Sequence, residues 1–225
     1  MLVLEITIDP KKVNVFCEVN PWIDRASRSL SEALRLQTSK ILDIEFIEIN
    51  SGYRLRQEST CVHADIYMYD NLSSGAGYSS GIVSQIDGLL SATESFLNSC
   101  TCENACKNCL KHYRNQNYHS VLDRFAALDL LFWAKNGLVH PDIPLEKQFQ
   151  KISPLRMILK DYNIDLIYRN NSLFVSSEGK SLQLCIYPSM KIMQSCANIV
   201  YVSDFEATYS RAYAVDSIRG AFGHI

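Results

Sequence analysis

Apolar positions change their period several times along this chain, and each change marks an element. Leu2 to Glu18 mixes β-branched and apolar residues on both sides of Asp9-Pro10, a turn signal, and predicts two short strands or a hairpin. From Trp22 to Leu42 the pattern becomes helical. Ala26, Leu30, Ala33, Leu34, Ile41 and Leu42 recur on one side, Arg25, Arg28, Glu32 and Arg35 take the others, and Pro21 suits a helix start. Asp43 to Arg56 reads as strand, broken at Ser51-Gly52. Ala64 to Tyr69 is a run of β-formers and predicts a buried strand, followed by a loop from Asp70 to Gly77. Ile82, Ile86, Leu89, Leu90, Phe96 and Leu97 predict a second helix over Tyr78 to Leu97. A third helix, Ser120 to Lys135, is apolar over much of its circumference, with Gly137 placed to cap it.

His140-Pro141-Asp142-Ile143-Pro144 reads as a connection between two regions. Beyond it the pattern predicts a helix near Pro154 to Asp161 and strands at Ile164 to Arg169, Ser172 to Ser176 and Leu182 to Tyr187, with turns at Asn170-Asn171 and Gly179. A strand at Ile199 to Val202 and a helix near Tyr213 to Gly220 complete it. The expected fold is α+β (mixed α/β): a domain over residues 1–138 and a small mixed α/β subdomain over 139–225.

Composition narrows the function classes. The 225 residues are 47% hydrophobic and 20% charged, so a normal core can form. A net charge of −2 argues against a protein that coats nucleic acid through bulk positive charge. The N-terminal MLVLEITIDP lacks a basic segment, and no apolar run is long enough to span a bilayer. These features predict a cytoplasmic protein without a membrane partner, where clustered cysteines point to metal more often than to disulfides.

Four of the eight cysteines, Cys100, Cys102, Cys106 and Cys109, fall within ten residues; Cys17, Cys61, Cys185 and Cys196 are scattered. The spacing Cys-x-Cys-x3-Cys-x2-Cys closes short loops at little entropic cost, and four thiolates suit tetrahedral zinc. With four sulfur ligands no position stays open for a catalytic water, so one structural Zn²⁺ is the leading reading. An iron–sulfur cluster and thiol redox chemistry stand behind it. The spacing departs from ferredoxin patterns, and four clustered thiols exceed what a redox pair needs.

Around the cysteines the chain resembles the MZB domain (domain of unknown function 1998), a zinc-binding domain associated with superfamily 2 DEAD/DEAH-box helicases. The resemblance covers roughly residues 20–136. It rests on Tyr69-Asp70 before Ser74-Gly75-Ala76-Gly77, the four cysteines at the family's spacing, Asn115-Gln116, His119 and Leu122-Asp123-Arg124, together with RASRSLSEALRL at 25–36 and Gly52-Tyr53-Arg54. Ser74, Ala105 and Lys107 depart from the family's usual residues. The resemblance implies a non-catalytic accessory module or subunit of a DNA helicase or translocase, acting in anti-phage defence or DNA repair. Its partner would be a helicase core, in the same longer chain or as a separate subunit. The sequence carries no Gly-x4-Gly-Lys-Ser/Thr loop, so the chain is not expected to be an enzyme or the motor itself.

Nucleic acid is a further candidate partner. Lys107, Lys111, Arg114, His119 and Arg124, with Tyr113 and Tyr118 interleaved, suit a strand-tracking groove, and Gly75 and Gly77 could present backbone N–H groups to a phosphate. Against that, His119 reads first as a satisfied polar residue packed beside the metal loop, and Asp123 and Arg124 as an internal salt bridge or helix terminus. The alternatives are a stand-alone protein-interaction subunit and, as a minor one, a serine hydrolase. Gly77-Tyr78-Ser79-Ser80-Gly81 matches the Gly-x-Ser-x-Gly elbow with Ser79 as nucleophile, but the intervening loop separates Ser79 from the strand an elbow requires. Asp165 with Glu178-Gly179-Lys180 is similar to a nuclease Asp…Glu-x-Lys pattern, though set in a turn.

Overall fold

A computed structural model of the chain describes residues 1–15, 21–71 and 77–223. The chain forms two compact units, Met1–Val139 and His140–Ile225, and the architecture is mixed α/β as expected.

The first unit is a three-stranded antiparallel sheet backed by helices. β1 (Leu2–Ile8), β2 (Ile49–Gln57) and β3 (Val62–Asp70) lie in the order β1-β3-β2, so the most buried strand is central. β1 pairs with β3, not with a neighbour across Asp9-Pro10. The expected N-terminal hairpin is therefore absent among the described residues, and Phe16 to Glu18 lie outside them. β2 runs through Ser51-Gly52 without the expected break. The ring end of Tyr67 lies 2.6 Å from where a Cβ on Gly52 would sit, so this glycine serves close cross-strand approach and not a turn. The long helix α1 (Pro21–Ile41) lays Ala26, Leu30, Ala33 and Leu34 into the core.

The expected single helix over 78–97 is divided: α2 (Tyr78–Gly81), a 3-10 turn (Ile82–Gln85) and α3 (Ile86–Ser99). α4 (Arg124–Asn136) starts four residues later than the periodicity suggests, because Asp123 caps it. Its carboxylate accepts the N–H groups of Phe125 (2.8 Å) and Ala126 (3.2 Å). Gly137 closes the helix at φ +63°.

The second unit holds α5 (Leu145–Ile152), a 3-10 turn (Ser153–Leu155), α6 (Arg156–Asp161), the strands β4 (Asp165–Arg169), β5 (Ser172–Ser177), β6 (Lys180–Tyr187) and β7 (Ile199–Ser203), then α7 (Asp204–Tyr209) and α8 (Arg211–Gly220). The sheet order is β4-β5-β6-β7, antiparallel except for the parallel β6–β7 pair. Ile152, Leu159, Ile164, Val175, Val202 and Ile218 belong to a core of its own. No helix among the described residues is long and apolar enough to cross a membrane.

Candidate metal centre

The four clustered cysteines sit on the loop between α3 and α4, and local bonds fold that loop inward. The N–H groups of Cys109 (3.1 Å) and Lys111 (3.0 Å) both donate to the carbonyl of Cys106, forming a tight turn, and Cys106 N–H points at the sulfur of Cys109 (3.1 Å). The four Sγ atoms all lie within 4.8 Å of one another. Four of the edges measure 3.4 Å (Cys100–Cys102), 3.5 Å (Cys100–Cys106), 3.7 Å (Cys102–Cys109) and 3.8 Å (Cys106–Cys109). Zn–S bonds of about 2.3 Å in a regular tetrahedron require sulfurs about 3.8 Å apart, so the cage fits zinc. Cys109 is buried and the other three are partly buried.

The electrostatics agree. Burial pushes the Cys102 and Cys109 thiols up, whereas the backbone N–H of Cys102 brings Cys100 down to about 7. A cation bound there displaces the thiol protons to solvent, so loading the site releases them. Four sulfurs complete the coordination shell. The chemistry is cross-linking, and the centre holds one structural zinc.

Arg124 anchors the loop to the helices on either side. Its Nε donates to the carbonyl of Cys102 (3.0 Å) and its Nη1 to that of Leu97 (3.0 Å), one of the last carbonyls of α3, which has no partner within the helix. The Arg124 N–H donates to the carbonyl of Asn104 (2.9 Å) and its guanidinium packs 3.9 Å from the Phe125 ring. With only 7% exposure, Arg124 is an internal strut, which corrects its candidacy for nucleic-acid contact.

His119 is similarly committed, its Nε2 lying 3.0 Å from the carbonyl of His112 and 2.9 Å from Oδ1 of Asn115. Asn115 is buried, accepts the N–H of His112 (2.9 Å) and donates to the carbonyl of Leu110 (2.7 Å), so it organises the chain leaving the cage. α1 holds this segment from the other side. Glu32 meets His112, Arg28 lies 4.3 Å over the Tyr118 ring, Arg25 donates to the carbonyl of Ser120 (2.8 Å), and Ser29 accepts the N–H of Asp123 (2.8 Å). Lys107, Tyr113 and Arg114 remain exposed around the loop, Tyr113 at 84%, and Lys111 is partly buried.

Gly77 has φ +80°, and its N–H is taken by Asp70 (2.7 Å). Ser79 N–H donates to the same carboxylate (2.8 Å). Burial pushes Asp70 up, yet these bonds and the Ser79 hydroxyl more than offset it and hold the carboxyl below its usual range. A protein carboxylate thus occupies the position considered for phosphate. Gly75 lies outside the described residues. Ser79 is 2% exposed and bound to Asp70, which removes it as a hydrolase nucleophile.

The sequence reading gave Arg124 an internal or helix-terminus role without its carbonyl partners, and missed Asp70 as a clasp. Both carry charge beside a turn or loop, but their acceptors and donors are only assembled by the fold.

A family model described as the MrfA Zn-binding domain, MZB, matches residues 30–110. The Druantia protein DruE of Escherichia coli (strain UMEA 4076-1) is 33% identical over 169 residues, 72% of this chain. Among solved structures, the crystal structure of the DUF1998 helicase MrfA bound to DNA matches at 13% identity and a TM-score of 0.39, over 53% of this chain. The chain spans 9% of the length of DruE and 16% of the MrfA chain.

Proposed function

We propose, from the match of residues 30–110 to the MZB zinc-binding family model, that the chain is a non-catalytic, zinc-stabilised accessory module of a superfamily 2 DNA helicase or translocase, working in the cytoplasm in anti-phage defence. The helicase core stands either in the same longer polypeptide or in a separate subunit. The 33% identity to DruE, extending beyond the matched domain, supports the defence assignment over repair. The observation that carries the structural role is the cage itself: Cys100, Cys102, Cys106 and Cys109 hold the zinc and Arg124 ties that cage to α3.

The exposed Lys107, Tyr113 and Arg114, with Lys111 beside them, form the face that positions DNA. Cations there track phosphates and Tyr113 offers a stacking surface. Metal analysis should return zinc at the cysteine cage, lost when Cys100→Ser and Cys109→Ser are combined. Binding to short oligonucleotides should weaken as salt rises, and each of Lys107→Ala and Arg114→Ala should lower the slope of log affinity against log salt by about one. Affinity that is absent, or indifferent to salt, favours the second reading, a protein-docking subunit. That reading draws on the same exposed aromatic, Tyr113.

A further inference from the structure

A second group of metal-binding side chains lies at the end of the β2–β3 hairpin, apart from the cysteine cage. Ser59 and Thr60 form the tip, closed by the N–H of Glu58 donating to the carbonyl of Cys61 (2.9 Å). Cys61 and His63 are two residues apart at the start of β3 and so project from one face of the sheet, where Glu58 joins them from the other side of the turn. One ligand atom from each lies within 4.8 Å of the others.

His63 orients the group. It is buried, with 7% exposure, and its Nδ1 lies 3.2 Å from a carboxylate oxygen of Glu5 and 3.3 Å from the hydroxyl of Thr7 on the neighbouring β1. A carboxylate at Nδ1 favours the proton there, and in that tautomer the lone pair is on Nε2. That atom faces the Cys61 sulfur at 3.0 Å and a Glu58 oxygen at 3.5 Å. A carboxylate behind a histidine whose other nitrogen meets a thiol and a second carboxylate is how proteins set a histidine to bind metal.

We propose that Glu58, Cys61 and His63 bind a second, more labile divalent transition ion, zinc or a metal of similar softness, with Glu5 and Thr7 positioning the histidine. Around tetrahedral zinc, nitrogen and oxygen ligands stand about 3.4 Å apart and nitrogen and sulfur about 3.5 Å. The His63–Glu58 spacing therefore needs no change, and Cys61 must turn outward by about half an ångström. The remaining coordination position falls to water, the arrangement of an exchangeable ion and not of a closed structural one. Arg56 holds the other oxygen of Glu58 (3.1 Å) and also contacts Glu5 (2.8 Å) and Asp65, so it orients the carboxylates without blocking the face that looks at His63. The ligand set, Glu-x2-Cys-x-His, closes within six residues, so little entropy opposes it.

The test is cobalt(II) added to the full chain with the cysteine cage already loaded with zinc. A second equivalent should bind, with a thiolate-to-cobalt absorption band arising from a single sulfur. Cys61→Ser and His63→Ala should abolish that equivalent while retaining the first zinc, whose retention also reports that the variant is folded. Glu58→Gln, changed at an exposed site, should weaken the second equivalent without touching the first. Glu5→Gln should weaken it about 10–100-fold, as expected for loss of a carboxylate behind a ligating histidine. One equivalent only in the wild type, or a second that survives Cys61→Ser and Glu58→Gln, overturns the proposal. The reading of the cysteine cage stands or falls separately, on Cys100→Ser with Cys109→Ser.

Discussion

At the scale of single residues, buried charge decides more than exposed charge. Arg124 stands among cations that invite a nucleic-acid reading, yet its guanidinium answers carbonyls at the end of α3 and inside the cysteine loop. Arg124→Ala takes this partner from one buried and one part-buried carbonyl, and unfolding in urea should show a loss of about 2–4 kcal/mol. Arg124→Lys should recover little, because one ammonium cannot reproduce a fork aimed at two acceptors. Asp70 behaves comparably. Its carboxyl is held below the usual range, so its contribution is complete above the unfolded value near 3.9 and is lost as pH falls through the folded one. Asp70→Asn should cost about 1–2 kcal/mol at neutral pH. The gap to wild type should close as denaturant midpoints are followed below about pH 4. The cysteine ligands were legible because their spacing is local. The partners of Arg124 were not, because they lie 22 and 27 positions away, and those of Asp70, seven and nine positions on, went unread although they are local.

At the scale of elements, legibility follows the range of the forces. The hairpin turns at Asn170-Asn171 and Glu178-Gly179 both hold paired positive φ, a conformation that asparagine and glycine tolerate and that Glu178 adopts beside Gly179, and each lies where the sequence places it. α7 went unread although its signal is local: Ser203 and Glu206 form a reciprocal capping box. Ser203→Ala should cost the second unit about 1 kcal/mol, measurable as a lower thermal midpoint. Gly52 shows the opposite failure. A glycine in a strand reads as a break until Tyr67, its partner in the β2–β3 register, is seen across it. Gly52→Ala should destabilise by about 1 kcal/mol, and a double-mutant cycle with Tyr67→Ala should return most of that cost.

At the scale of the whole molecule, the zinc cross-links only the first unit. The second has its own core, including Leu155, Leu184 and Ala214. Chelation should therefore abolish amide protection in α3, α4 and the loop between them while β4 to β7 keep theirs, as hydrogen exchange can resolve. Zinc affinity should fall steadily as pH drops, since protons compete for four thiolates. The sequence by itself determined the metal-binding motif, the helical and strand periods and the turn chemistry, because each depends on residues within about ten positions of one another. Tertiary structure alone decided that β1 joins β3, which carbonyls Arg124 and His119 meet, and that Glu5 and Thr7 meet His63. Those outcomes depend on partners that sequence separation hides and that only packing brings to hydrogen-bonding distance.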